Sequence, residues 1–224
     1  MSGFDLEPRN LGRDKEPVRL RDDRIFLVAC DDTFAPEQYL SFLKLPRIRI
    51  VVVPTMDGTS TAGRVLQRLL DAGRRIGLRP YDERWMVLDT DHCVEGTHQA
   101  GFVAALHEAK RRGVKIALSR PCFELWLLLH HLDEGELGNF ESCRQIEVAL
   151  RLAAGTYSKT RLNPDDYKGG AVVTAILRAE RLDATVAGGD IPVGNTTRFY
   201  RLLKSIAARS LPSQLPPELR ALRP

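Results

Sequence analysis

Short apolar runs alternate with amphipathic segments along the first 132 residues of the chain. Four of these runs have the length and branched composition of buried strands: RIFLVAC (24–30), RIRIVVVP (47–54), RWMVLD (84–89) and VKIALS (114–119). Each is followed by a segment whose apolar residues recur at helical spacing. Four strand–helix units in succession predict an α/β fold, with a mainly parallel four-stranded sheet and helices on both faces.

The pattern changes after Gly135, where helical spacing continues without a convincing strand. The segments 140–155, 169–189 and 196–210 all repeat apolar residues at a helical period. The end of the chain is rich in prolines, which interrupt regular helices and leave room only for a short turn at 218–222. We therefore predict a charged lead-in over 1–24, an α/β core over 25–135, a helical annex over 136–209 and a Pro-rich tail over 210–224.

The amino-acid composition limits which classes of protein the chain can belong to. The 224 residues are 43% hydrophobic and 28% charged, which suits one compact domain with a helical extension. No apolar run reaches the length needed to cross a bilayer, and the N-terminus lacks the apolar stretch of a signal peptide. We therefore expect a cytoplasmic protein with no membrane association. The net charge of +4 favours a polyanionic partner only mildly.

The spacing of the four cysteines indicates no particular function. Cys30, Cys93, Cys122 and Cys143 form no CxxC pair, and most of them lie in apolar surroundings. We expect them to be core residues, with no disulfide framework and no zinc site.

Acidic residues recur where the predicted strands end. Asp31 and Asp32 follow the first strand, Asp89 and Asp91 end the third, and Glu124 comes shortly after the fourth. Ligands of open parallel sheets bind beyond the carboxyl ends of the strands. Carboxylates converging there repel one another unless a cation is bound, and Mg²⁺ prefers such oxygen ligands. If the DTD motif is considered alone, an alternative interpretation is that Asp89 and Asp91 are solvated loop residues that cap the next helix.

Longer stretches around these acids resemble the RloB-like family, whose catalytic core is similar to a Toprim domain. The stretches are FLVACDD (26–32), EQYL (37–40), YDERWMVLDTD (81–91), GVKIALSRPCFELWLLLHH (113–131), TYSK (156–159) and GNTTRFYRLL (194–203). Toprim domains pair an acidic residue after the first strand with a later DxD motif and bind Mg²⁺ for phosphodiester chemistry. The resemblance therefore implies a Toprim-like nuclease that uses Mg²⁺ or Mn²⁺ on DNA or RNA.

The resemblance also implies roles for particular residues. Asp31 takes the position of the first-strand acid, usually glutamate, and Asp89 and Asp91 form the DxD. The implied metal ligands are these three with Asp32, and the implied catalytic residues also include two further side chains. These are Glu124, near the start of an apolar helix, and Lys159, placed to pair with a scissile phosphate.

One departure from the family pattern concerns the turn after the first strand. The family has a Cys-Glu-Gly-Glu-like turn there, whereas this chain has Cys30, Asp31, Asp32 and Thr33. Aspartate is one methylene shorter than glutamate, and Asp32 replaces a flexible glycine. Asp32 then either supplies the missing reach, or the site binds metal weakly and the domain serves as a scaffold or interaction module.

A third alternative is a phosphatase of the haloacid dehalogenase type. MVLDTD is similar to the opening motif of that class, and Ser119, Lys159 and the pair Asp165/Asp166 follow in the required order. Two features oppose it, since two strand–helix units precede the DxD strand and no apolar strand delivers the acidic pair.

RloB-like proteins are often encoded beside an ATPase in loci that look like anti-phage defence systems, so the resemblance implies an ATPase partner. No Gly-Lys-Ser/Thr phosphate loop occurs in this chain, so ATP use belongs to that partner. The stripe of Phe199, Leu202 and Leu203 either provides its docking face or packs on the sheet. His130 and His131 end the apolar helix, where one of them caps the helix or takes part in catalysis.

Overall fold

The structure, a computed structural model, describes residues 23–55, 61–91, 98–186 and 189–223. A five-stranded sheet forms its centre, with the strand order β2-β1-β3-β4-β5. The strands are β1 (Arg24–Cys30), β2 (Ile48–Val53), β3 (Glu83–Asp89), β4 (Lys115–Arg120) and β5 (Thr196–Thr197). The first four are parallel, and β5 pairs antiparallel to β4. The predicted α/β class and its mainly parallel sheet are confirmed.

Eight α-helices surround this sheet in the described part of the chain. They are α1 (Ala35–Phe42), α2 (Ala62–Ile76), α3 (Gln99–Arg111), α4 (Glu124–Leu128), α5 (Cys143–Ala154), α6 (Gly170–Thr185), α7 (Phe199–Arg209) and α8 (Pro217–Arg220). Helices α2 and α3 pack on one face of the sheet, and α1 packs with the C-terminal helices on the other. The predicted helices on both faces are therefore confirmed.

Alternation along β1 produces these two cores. Phe26 and Val28 point to the face covered by α1 and the C-terminal helices, whereas Leu27 and Ala29 point to the face covered by α2 and α3. All four side chains are fully buried, as expected for the central strand of a sheet covered on both faces.

Local sequence explains the ends of several elements. Pro36 occupies the first turn of α1, where a missing N–H costs nothing. Gly77 ends α2 in the left-handed region with φ 68°, a conformation that glycine adopts without steric cost. These two residues set where α1 begins and where α2 ends, so that the chain can return to the amino end of the next strand.

The structure differs from the sequence prediction in two elements. The annex was expected to lack strands, yet Thr196 and Thr197 pair with Arg120 and Ser119 at the edge of the sheet. A two-residue strand is too short to show a period, so its residues give no pattern to recognise. The apolar run 122–132 was expected to be one helix, but α4 spans only Glu124–Leu128 and continues as turns.

The apolar stripe of α7 packs inside the molecule. Phe199, Leu202 and Leu203 are 0%, 0% and 5% exposed and belong to the core that α1 and α4 share. The alternative in which this stripe docks a partner is therefore wrong, because its surface is already buried against this chain.

Cys122 and Cys143 form a disulfide, which joins the segment before α4 to the first residue of α5. The expectation that the cysteines are unpaired core residues is wrong for this pair, although Cys122 and Cys30 are indeed buried. The two partners are 21 residues apart and carry no motif spacing, so only the fold brings them together.

Two other predictions, the charged lead-in and the absence of a membrane-spanning segment, can be compared with the structure only over the described residues. The lead-in over 1–24 falls outside it except for residues 23 and 24, the second of which begins β1. Among the described residues, no helix combines the length and hydropathy needed to cross a membrane.

Candidate metal centre

The acidic residues gather at the point where the sheet reverses its winding direction. From β1, the chain first crosses to β2 on one side and later returns to β3 on the other. The carboxyl ends of β1 and β3 are therefore neighbours, with Cys30 in register with Val87. Helices lead away from these two strand ends on opposite faces and leave a crevice, which is the usual ligand position of such sheets.

Asp31 is the residue that fastens the two strand ends to each other. Its Oδ2 accepts a hydrogen bond of 2.8 Å from the backbone N–H of Asp89, and its Oδ1 accepts one of 2.9 Å from that of Asp32. Burial raises the pKa of the Asp31 carboxyl to about 7, although the amide hydrogen bonds oppose this shift. Asp31 thus positions the acidic turn, and both of its oxygens are already engaged.

Three other carboxylates form the cluster itself. One oxygen each of Asp32, Asp89 and Glu124 lies within 4.8 Å of the other two. Oδ1 of Asp89 is buried and has no hydrogen-bond partner, which is costly for a carboxylate oxygen. Burial raises the pKa of Asp89 well above its usual value, and the charges of Asp31 and Glu124 raise it further. This set of oxygen donors, one of them lacking a partner, fits a hard divalent cation.

Glu124 reaches the cluster from the first turn of α4. Its side chain is fully buried, and its Oε1 accepts a 2.9 Å hydrogen bond from the hydroxyl of Tyr157. Burial raises the pKa of Glu124, and the nearby ammonium of Lys159 partly opposes the increase. The position at a helix N-terminus also favours the ionised carboxylate.

Lys159 is the cation that contacts this cluster. Its Nζ lies 2.7 Å from Oδ2 of Asp32 and 3.3 Å from Oε1 of Glu124. Burial lowers the pKa of Lys159, but the two carboxylates outweigh burial and raise it. A permanently charged ammonium therefore touches two of the three candidate metal ligands.

Gln38 holds the loop that carries Lys159. From α1, its amide Nε2 donates to the carbonyl of Lys159 at 3.0 Å, and its Oε1 accepts from the N–H of Leu162 at 2.9 Å. Sequence reasoning assigned no role to Gln38 or Tyr157. Both lie in family stretches, EQYL and TYSK, but their contacts join residues 33 to 124 positions apart and so leave no local pattern.

Asp91 lies apart from the three-carboxylate cluster. It is exposed, and it lines a neighbouring cavity of about 450 Å³ together with Arg120 and residues of the loops around 140 and 194. Its charge still contributes to the raised pKa of Asp89. The structure thus brings Asp32, Asp89, Glu124 and Lys159 together, uses Asp31 as their support and leaves Asp91 at the rim.

Another large cavity lies at the other end of the sheet. It has a volume of about 630 Å³ and is lined by Arg74, Arg79, Arg84 and Arg112 beside a single acid, Asp82. Both carboxylate oxygens of Asp82 accept backbone N–H groups. This cavity therefore holds none of the candidate metal ligands.

The residues that a dehalogenase-type phosphatase needs are not arranged for that chemistry. Asp165 and Asp166 lie on a short 3₁₀ helix, Pro164–Tyr167, and Asp165 pairs with Lys168 at 2.6 Å. The Ser119 hydroxyl is buried in a 2.9 Å hydrogen bond with that of Thr197.

Comparison with known proteins gives one family. The model of the family described as RloB-like protein matches residues 26–206, which include every residue of the acidic cluster. No curated protein and no solved structure matched the chain.

Proposed function

The chain belongs to the RloB-like family, and from this premise we propose that it is a metal-dependent, Toprim-like nuclease. In this proposal Asp32, Asp89 and Glu124 hold Mg²⁺ or Mn²⁺, and DNA or RNA is the substrate. The observation that carries it is the buried, unpartnered Oδ1 of Asp89 within a cluster of three carboxylates at the crevice of the sheet.

The proposed chemistry is hydrolysis of a phosphodiester bond. A bound divalent cation supplies charge stabilisation and lowers the pKa of water at such sites. Lys159 is 39% exposed, so its ammonium is accessible from solvent and is placed to pair with a scissile phosphate beside the cluster. Asp31 acts by positioning, because its carboxylate fixes the backbone of Asp32 and Asp89.

We further propose that the substrate approaches over Asp91 and Arg120. Arg120 lies at the end of β4 and lines the cavity next to the cluster, where a guanidinium suits a phosphate. Asp91, the second acid of the DxD motif, lies at the rim of the cluster and lines the same cavity as Arg120. These two residues make the proposed path of the nucleic-acid backbone continuous with the proposed metal position.

We also propose that the protein works as an effector in a phage-defence system together with an ATPase encoded at the same locus. A nuclease that is active by itself endangers its own cell, so we expect the isolated chain to be nearly inactive. The buried stripe of α7 does not serve this contact, and the docking surface must lie elsewhere on the molecule.

One observation favours the second function considered, a scaffold with a weakened site. The ammonium of Lys159 already neutralises part of the charge of Asp32 and Glu124, and both oxygens of Asp31 are engaged. In that case the domain binds metal poorly and acts through contacts with its partner. Measurement of cleavage and metal binding on the same samples separates the two functions.

The test compares wild type with Asp89→Asn on single-stranded and duplex DNA and RNA, with Mg²⁺ or Mn²⁺ and with or without the ATPase. We expect cleavage with the ATPase present and a loss on the order of 10³-fold in the variant, because the amide is neutral and a poorer ligand. Asp165→Asn is the control, since Asp165 is an exposed carboxylate that pairs with Lys168 at the surface.

Two results would contradict the proposal. Equal cleavage by wild type and Asp89→Asn would place the chemistry elsewhere. Absence of cleavage by the wild-type protein with its ATPase, on all four substrates, would favour the scaffold.

A further inference from the structure

Glu124 belongs to a second group of candidate ligands, which it forms with Cys122 and Cys143. We propose that Cys122, Cys143 and Glu124 form a site for a thiophilic divalent cation such as Zn²⁺, which becomes available when the disulfide is reduced. The site shares Glu124 with the proposed Mg²⁺ position, so the two cations compete for one carboxylate.

The geometry of this group rests on three neighbouring elements. Cys122 lies two residues before Glu124, and Cys143 begins α5, which packs beside α4. The two sulfur atoms and one carboxylate oxygen lie within 4.8 Å of one another. Sγ of Cys143 is 3.2 Å from Oε2 of Glu124, whereas Oε1 faces Tyr157 and Lys159. The two oxygens of Glu124 therefore point to different sets of partners.

Burial supplies the second argument. Cys122 and Glu124 are both fully buried. Lys159 and Tyr157 contact Oε1 of Glu124, whereas on the side of Oε2 two free thiols would offer only weak hydrogen bonds and a bound cation would compensate the charge. A site of two thiolates and one carboxylate leaves a fourth position for water, which is a common arrangement of zinc.

Reduction and binding are two balanced steps. A dithiol reductant transfers two electrons and two protons to the Cys122–Cys143 disulfide, which gives two thiols and the cyclic disulfide of the reductant. Zn²⁺ then replaces the two thiol protons, which are released to solvent. With zinc–sulfur bonds of about 2.3 Å in a tetrahedral site, the sulfur atoms separate to about 3.8 Å. The two sulfur atoms, bonded to each other in the disulfide, must therefore move apart when the metal binds.

The two sites differ in the cation that they prefer. Thiolates select Zn²⁺, whereas the carboxylates of Asp32 and Asp89 suit Mg²⁺ or Mn²⁺. Occupation of the sulfur site places a second dication on the carboxylate of Glu124, and repulsion between the two dications weakens binding at the oxygen site. The disulfide removes this competitor. Zinc binding does not depend on the nuclease proposal; only the competition depends on the metal position proposed there.

The experiment uses the full chain with Cys93 replaced by serine, because that cysteine lies outside the described residues and adds a further thiol. Protein reduced with dithiothreitol and then freed of it under argon is titrated with Co²⁺ and Zn²⁺. We expect one Co²⁺ per chain with a sulfur-to-metal charge-transfer band, displacement by Zn²⁺, and at least tenfold weaker Mn²⁺ binding once Zn²⁺ is present.

Variants and the oxidised protein provide the controls. Cys143→Ser and the disulfide form should bind Zn²⁺ at least 100-fold more weakly, whereas Cys30→Ala, which alters a buried cysteine outside this group, should bind like the parent. Circular dichroism shows that each variant is folded. Reduced parent protein without the charge-transfer band, or Cys143→Ser with unchanged affinity, would overturn the site. Zinc binding without any Mn²⁺ binding would instead contradict the proposed function and leave the sulfur site standing.

Discussion

Lys159 is the single residue whose contacts say most about the candidate centre. Its ammonium lies between the carboxylates of Asp32 and Glu124 at 2.7 and 3.3 Å, where it offsets part of their mutual repulsion. A divalent cation bound to the same oxygens must therefore share them with Lys159 or displace it. Lys159 accordingly opposes metal binding even if it assists the chemistry.

We predict that Lys159→Met increases Mn²⁺ affinity about tenfold, which corresponds to about 1.4 kcal/mol. The reason is that a neutral side chain no longer repels the cation or occupies its ligands. Isothermal titration calorimetry measures the dissociation constant, and Lys168→Met is the control because Lys168 pairs with Asp165 at the surface. Weaker or unchanged Mn²⁺ binding in Lys159→Met would show that the ammonium does not compete for these oxygens.

His130 illustrates a residue whose role the sequence left open. It is buried among aromatic rings, accepts a hydrogen bond from the Tyr39 hydroxyl at Nε2 (3.2 Å), and donates from Nδ1 to the carbonyl of Trp126 (3.0 Å). Burial lowers the pKa of His130 to about 3. The imidazole is therefore neutral at physiological pH and stabilises the core rather than taking part in catalysis.

This lowered pKa predicts how stability depends on pH. The unfolded chain binds a proton at His130 below about pH 6.5, whereas the folded protein does not until about pH 3. Stability should therefore decrease as the pH falls through this window, by at most about 1.4 kcal/mol per pH unit from this group.

Urea unfolding of wild type and His130→Gln between about pH 7 and about pH 5 measures this contribution. The decrease should be smaller in the variant, and His107→Gln, which alters an exposed histidine, should behave like wild type. An identical pH dependence in wild type and His130→Gln would argue against a neutral buried imidazole.

The sequence predicted that Asp31, Asp89, Asp91 and Glu124 would line one pocket, but not which of these acids would form the cluster, from which Asp91 lies apart. Strand ends of a parallel sheet share one edge, so the convergence of Asp31, Asp89 and Glu124 follows from the strand pattern and the family resemblance. The direction of each side chain does not. Asp31 turns back to two backbone N–H groups, and Asp32 replaces it in the cluster. Only the tertiary structure decides between these neighbours.

Among the elements, the four parallel strands could be predicted because each is a short apolar run, even though β2, at the edge of the sheet, is only partly buried. The fifth strand could not, because Thr196 and Thr197 form only a two-residue bridge to β4. The same holds for the Cys122–Cys143 disulfide, whose partners meet only once α5 packs beside α4. Periodic patterns reveal long elements, whereas pairings between distant short segments leave no trace in the local sequence.

Hydrogen bonds of Gln38 join α1 to the loop that carries Lys159, and their contribution to the order of this loop can be tested. Gln38→Ala removes two hydrogen bonds to the loop, each worth about 1 kcal/mol. We expect at least tenfold faster amide hydrogen exchange over residues 159–162, while the strands keep their protection. Mass spectrometry of exchanged peptides measures this effect.

Gln67→Ala on α2 is the matched control, because Gln67 is exposed and its side chain, within the described part of the chain, bonds to Asp71 on its own helix. It should leave exchange of the Lys159 loop unchanged. If Gln38→Ala also leaves that exchange unchanged, the loop is held by other contacts and Gln38 is not a positioning residue.

For the whole molecule, the arrangement of faces explains why the centre lies where it does. Helices α2 and α3 cover one face, and α1 with the C-terminal helices covers the other, so the crevice opens between β1 and β3. The segment after α5 then supplies Tyr157 and Lys159 to a cluster whose acids follow β1, β3 and β4. The candidate centre is thus completed only when both parts of the chain fold together.

We propose above that Asp32, Asp89 and Glu124 together bind a hard divalent cation. Anomalous diffraction from a crystal of the full chain soaked in Mn²⁺ tests it most directly, because the peak locates the ion without reference to activity. We predict one strong peak at coordination distance, about 2.1 Å, from oxygens of all three carboxylates, including Oδ1 of Asp89. A well-ordered crystal in which these carboxylates carry no anomalous peak, or in which Mn²⁺ binds elsewhere instead, would contradict metal binding by this cluster.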